Sequence, residues 1–121
     1  MPRPILADTH IHPAIRDKVS NLHSDTVKEV QAAVGANAVV IVGMGGNPMV
    51  KKARRLCDDA GMAYKYLEYG NYLNSWRKRN ALKLWTGWPT FPMVFVKGVL
   101  VGGADDVLKL LASGEMKKLL G

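Results

Sequence analysis

Only one cysteine, Cys57, occurs in the 121 residues. A disulfide within the chain is therefore impossible, which suits a reducing compartment. Long apolar runs are missing too: none approaches the ~20 residues that a membrane-spanning helix needs. The opening Met-Pro-Arg-Pro lacks the basic-then-apolar pattern of a secretory signal, so a soluble, cytoplasmic protein without a membrane partner is expected. Acidic residues are the scarcer charge, 10 against 17 Lys and Arg, and the net charge is +7. That excess favours an anionic partner, whether nucleic acid, an acidic protein or a small acidic molecule. No internal repeat or low-complexity stretch interrupts the chain. Its length fits one domain, able to bury about two-thirds of its unfolded surface without metal or disulfide help.

What is present alternates regularly between helix and strand patterns. Residues 1–23, with Pro at positions 2, 4 and 13, show no sustained period and read as an extended N-terminal arm with a short turn. Residues 24–121 read as the domain. Apolar side chains at 27, 30, 33 and 34 make a helical stripe over 24–34, with Ser24 or Asp25 as N-cap and Gly35 as stop. The β-branched run at 38–42 reads as a buried central strand. Asn47-Pro48 opens a second helix, because Asn caps and Pro takes the first helical position, where a missing N–H is harmless. Met49, Val50, Ala53, Leu56, Cys57 and Ala60 share one side of it, basic residues the other, and Gly61 ends it. Residues 63–68 alternate as a second strand and complete a βαβ unit. A basic helix over 71–83 then leads into a loop over 85–92.

The segment over 86–106, TGWPTFPMVFVKGVLVGGADD, is the most heavily patterned. Apolar β-formers flank Lys97-Gly98 and predict a hairpin, while Pro92 removes a backbone donor just before its first strand and so belongs at an edge or in a loop. Gly102-Gly103 turns the chain into short helices over 104–112 and 114–120. A βαβ half followed by a ββα half, with the 24–34 helix in front, is a thioredoxin-like arrangement: an α/β fold with a central mixed four-stranded sheet flanked by helices.

The run Trp88-Pro-Thr-Phe-Pro-x-Val-Phe-Val-x-Gly-x-Leu-Val-Gly-Gly-x-Asp105, with Arg79 nine residues before the Trp, resembles the C-terminal half of glutaredoxins, above all the monothiol Cys-Gly-Phe-Ser class. The likeness extends to the 24–34 helix and to 113–120. It implies a cis Pro92 facing an active site, and a backbone edge before it that pairs with the peptide-like part of glutathione. It also implies glutathione contacts from Arg79 to a carboxylate, from Phe91 and Pro92, and from Ala104 and Asp105 at the start of a helix. Elementary chemistry agrees: Arg offers a planar fork for a carboxylate, and a helix N-terminus receives an anion. Each residue also has a plainer reading. Arg79 fits a solvated basic face with Arg77, Lys78 and Lys83, Asp105 an ordinary first-turn charge, and Trp85, Trp88 and Phe91 loop packing.

In the family a cysteine stands at the head of the helix after the first strand, where unpaired N–H groups lower its pKa and supply the thiolate that attacks a disulfide. Here Asn47-Pro48-Met49-Val50 occupies that position, and Met44 stands where the family has a Lys. Asn can neither ionise nor form a mixed disulfide. Cys57 lies ten residues further along the same helix, ~15 Å at 1.5 Å per residue, on the apolar stripe where Cys behaves as a small hydrophobe. Family-type iron–sulfur binding uses the active-site Cys with glutathione, so no cluster is expected.

The expected function is a redox-inactive glutaredoxin-related protein that holds glutathione or an extended thiol peptide in a retained groove. The alternative is a glutathione-dependent disulfide oxidoreductase or electron-transfer protein of glutaredoxin type, linked to iron–sulfur proteins and working through Cys57 or a substrate-borne thiol. Nucleic-acid binding by the basic helices is disfavoured, since neither resembles a recognition module. One candidate metal set remains: Asp8, His10 and His12 alternate, and in an extended segment alternate side chains share a face, with His23 as a candidate fourth ligand.

Overall fold

Alternation along one strand decides which helices cover which face of the sheet. In the computed structural model, which describes residues 3–121, β1 (Val39–Gly43) is buried at every position. Val40 and Val42 point into one apolar cluster and Ile41 into another, as the two-residue period of a strand requires. β3 (Met93–Val96) divides in the same way, Met93 and Phe95 against Val94 and Val96. With β2 (Lys65–Glu68) and β4 (Val99–Gly102) the sheet order is β2-β1-β3-β4. β1 pairs parallel with β2 and antiparallel with β3, and β3 pairs antiparallel with β4.

Helices α2 (Ser24–Ala36) and α4 (Trp76–Thr86) cover the first face, contributing Val30 and Leu82 to its core. The second face is covered by α3 (Pro48–Asp59), α5 (Ala104–Ser113) and α6 (Glu115–Leu120), which supply Ala53, Cys57, Val107 and Met116. Gly43, at the end of β1, is required by close approach: a Cβ there would stand 2.6 Å from Val50 Cγ1. This contact lets the head of α3 sit directly against the sheet. The hairpin turn has positive φ at both Lys97 (51°) and Gly98 (82°), the type I′ pattern whose twist matches that of the flanking strands.

Several boundaries differ from the sequence expectations. The arm is not extended: a 3₁₀ turn covers Asp8–His10 and a helix, α1, covers Pro13–Ser20. His12 caps it, Nδ1 accepting from Ala14 N–H at 3.0 Å, with Pro13 in the first turn. That is the same Pro-start device as Asn47-Pro48. Gly35 does not stop α2, which continues to Ala36 and ends at Asn37, whose Nδ2 donates to the Ala33 carbonyl at 2.9 Å. Its N-cap is His23, in the left-handed region, rather than Ser24 or Asp25. The helix placed over 71–83 begins only at Trp76, because Asn71 and Asn74 turn the backbone with their side chains: Asn71 Oδ1 accepts from Leu73 N–H and Asn74 Oδ1 from Asn71 N–H. Among the described residues no helix is long and apolar enough to cross a membrane.

Candidate functional site

A groove of about 510 Å³ opens where β1 ends and β3 begins. One wall is the head of α3. Asn47 has extended backbone (φ −96°, ψ 117°), and its side chain folds over the helix end, Oδ1 accepting from Met49 N–H at 2.9 Å and Val50 N–H at 3.2 Å. Two donors that an anion would otherwise attract are thereby satisfied. The floor is the Thr90-Phe91-Pro92 segment, whose Phe91–Pro92 peptide bond is cis. The far wall is the head of α5, where Asp106 Oδ2 accepts from Gly103 N–H at 3.0 Å. Trp88 leans on it, with a Cβ built on Gly103 standing 3.9 Å from the indole Nε1. That buried indole N–H has no partner among the described residues.

Of the residues singled out in the sequence, Asn47, Pro48, Met49, Phe91, Pro92, Ala104 and Asp105 all line this groove. Val50 does not: it is buried beneath the helix head against Gly43. Asp105 is exposed and paired with Lys52 Nζ at 2.9 Å. The hydrogen bond and charge of that ammonium hold its carboxyl below the usual carboxylate range.

Arg79 requires a correction. It is 7% exposed and does not line the groove. Its Nη1 donates to the Tyr69 carbonyl at 3.0 Å and the Asn74 carbonyl at 2.6 Å, so it braces the loop before its own helix. The cation in the groove is Lys83, one turn further along α4, with Nζ 5.8 Å from the centre of the Phe91 ring. Spacing of i to i+4 from Arg79 was the available signal, since such residues share a helix face. Tyr72 is a second addition: it lines the groove from the braced loop, and no periodicity pointed to it.

Cys57 is fully buried in the second core cluster and is not among the groove-lining residues. Burial, with a smaller effect of Asp58, pushes its thiol up to about 11. At neutral pH it is a protonated hydrophobe. The shared face expected of Asp8, His10 and His12 is also not formed, because Asp8 and His10 lie in the 3₁₀ turn and His12 Nδ1 is engaged as a cap. Among the described residues no group of three or more His, Cys, Asp or Glu side chains could hold a metal ion.

The parallel-then-antiparallel sheet and the cis-proline groove define the thioredoxin-like class of α/β proteins. Within it, a family model described as glutaredoxin matches residues 39–101. A glutaredoxin-like protein of Dictyostelium discoideum is 44% identical over 102 residues, covering 84% of this chain and 83% of its own. The mitochondrial monothiol glutaredoxin-S15 of Arabidopsis thaliana is 28% identical over 121 residues, covering 94% and 69%. Among solved structures, oxidized glutaredoxin 2 of Chlamydomonas reinhardtii superposes with a TM-score of 0.68 at 29% identity, covering 80% of this chain and 92% of that one. The chain belongs to the glutaredoxin family.

Proposed function

We propose that this glutaredoxin-family protein is a redox-inactive binding module that holds glutathione, or an extended thiol peptide, in the groove between α3, the Pro92 segment and α5. The observation that carries this reading is the amide at the head of α3. Asn47 occupies the position of the family's nucleophilic sulfur and is engaged by two backbone N–H groups, while the chain's one sulfhydryl lies buried outside the groove. The rest of the groove suits a peptide with two carboxylates. Lys83 offers a cation at one side and the first turn of α5 offers N–H groups at another. The backbone before Pro92 offers an edge to an extended ligand. An iron–sulfur cluster does not fit this site, since Asn47 supplies no thiolate to iron.

Titration calorimetry with reduced glutathione tests the binding half. Heat is expected below about 10 mM, and its absence together with unchanged chemical shifts at Phe91 would remove the small-molecule reading. A mixed-disulfide reduction assay on wild type and Cys57→Ser tests the other half. No turnover is expected from either protein, and activity that disappears with Cys57 would replace this reading with the oxidoreductase one.

A further inference from the structure

The groove wall beside Asn47 is apolar, and its Met49 and Tyr72 side chains are exposed. Resting on the glutathione-binding reading above, we infer that the site selects glutathione already substituted on sulfur, a thioether conjugate carrying an apolar group, over reduced glutathione. Two features of the groove converge on that ligand class.

The first is what a free thiol would meet. A tripeptide paired with the edge before Pro92, with its carboxylates at Lys83 and at the head of α5, turns its middle residue toward the remaining wall. That wall is Met44, Asn47, Pro48 and Met49. It holds no cation to favour an ionised thiol and no sulfhydryl to bond with it. Asn47 Oδ1 already accepts from Met49 and Val50 N–H, so the helix head offers a thiolate less than an open one would. A thioether has no proton to lose and no charge to desolvate, and loses nothing at this wall.

The second is the pair of side chains flanking that point. The Tyr72 ring lies along the turn before Asn47, where a Cβ built on Gly46 would stand 3.9 Å from its Cδ2 and Cε2. Met49 follows Asn47 by two residues. Both line the groove, yet Tyr72 is 67% exposed and Met49 37%. Tyr72 is presented from a stiffened loop: Arg79 ties the Tyr69 and Asn74 carbonyls together, and Asn71 and Asn74 side chains close turns that span residue 72. An aromatic face and an adaptable thioether side chain thus border the sulfur position, where an S-linked alkyl or aryl group would cover both. A pocket of this volume lies within the range that encloses drug-sized ligands.

Calorimetric titration of the wild-type chain with reduced, S-methyl- and S-hexylglutathione tests the inference. S-hexylglutathione is expected to bind at least about tenfold more tightly than reduced glutathione, with the S-methyl form between them, from apolar burial at Met49 and Tyr72. In the double variant Met49→Ala with Tyr72→Ala, checked for folding by circular dichroism, that ratio is expected to fall below about threefold. Binding of reduced glutathione with no advantage for the S-hexyl form overturns the inference and leaves the groove reading standing. So does an advantage that the double variant retains in full. No heat from any of the three ligands removes both.

Discussion

An amide and a thiol at the head of a helix answer the same unpaired N–H groups in different ways: the amide accepts from them as a neutral group, whereas the thiol ionises. Asn47 takes the first course. Asn47→Cys is expected to create a thiol whose pKa lies below the ordinary ~8.5, read from the pH dependence of alkylation, at a cost of about 1 kcal/mol for the lost cap. A pKa at the ordinary value would mean that the Met49 and Val50 amides do not reach that sulfur. Arg79 and Lys83 separate stability from affinity in a similar way. Arg79→Gln, which leaves buried carbonyls without a charged donor, is expected to lower stability by roughly 2–3 kcal/mol in denaturant titrations. Lys83→Gln is expected to leave stability within about 0.5 kcal/mol and to weaken glutathione binding by about tenfold with a flatter salt dependence. Asn47 was legible in the sequence because capping is settled within three residues. Arg79 was not, because the direction of its guanidinium depends on where two carbonyls, five and ten residues earlier, come to lie.

Among the elements, α1 stands apart. Every one of its residues is exposed, and Ile15, Val19 and the following Leu22 are each about half exposed. The arm's tie to the rest of the fold includes the hydrogen bond from Arg3 Nη2 to the Trp85 carbonyl at 3.3 Å, near the end of α4. We propose residues 24–121 as the folding unit, with 1–23 as an appendage. Deleting residues 1–22 is expected to shift Tm by less than about 4 °C, the effect of losing well under 1 kcal/mol in a chain of this size; a larger drop in a thermal melt would place the arm within the cooperative core. α1 was not legible from periodicity, because residues 1–23 carry no sustained apolar period; its start at Pro13, in the first turn behind the His12 cap, is a local device. Gly35 likewise does not act as a stop: a glycine within a helix costs about 1 kcal/mol, which burial of Val30 on the same helix can offset.

At the scale of the whole molecule, both apolar clusters share β1 and β3, so neither face of the sheet can open alone without exposing the strands that bury the other. Unfolding by denaturant is expected to be two-state, with tryptophan fluorescence and far-ultraviolet dichroism giving coincident midpoints. Cys57 adds a pH dependence to that transition. Burial, with a smaller effect of Asp58, raises its pKa to about 11. A group raised in the fold lends stability that is fully present below its unfolded pKa and is lost as pH climbs through the folded one. Stability is therefore expected to hold up to about pH 8.5 and to fall between pH 9 and 11, by up to roughly 2–3 kcal/mol from this group. Part of that slope should disappear in Cys57→Ala. Native protein at pH 8 should also resist alkylation at Cys57, while protein unfolded in guanidinium reacts readily. By itself the sequence determined the order of strands and helices over 24–121, the capped head of α3, the tight hairpin at Lys97-Gly98 and the amide at position 47, all of which rest on local backbone chemistry or on the identity of one residue. Only the tertiary structure decided that Lys83 and Tyr72, rather than Arg79, face the groove, because a side chain's direction is set by which distant carbonyls and ring faces the folded chain brings within its reach.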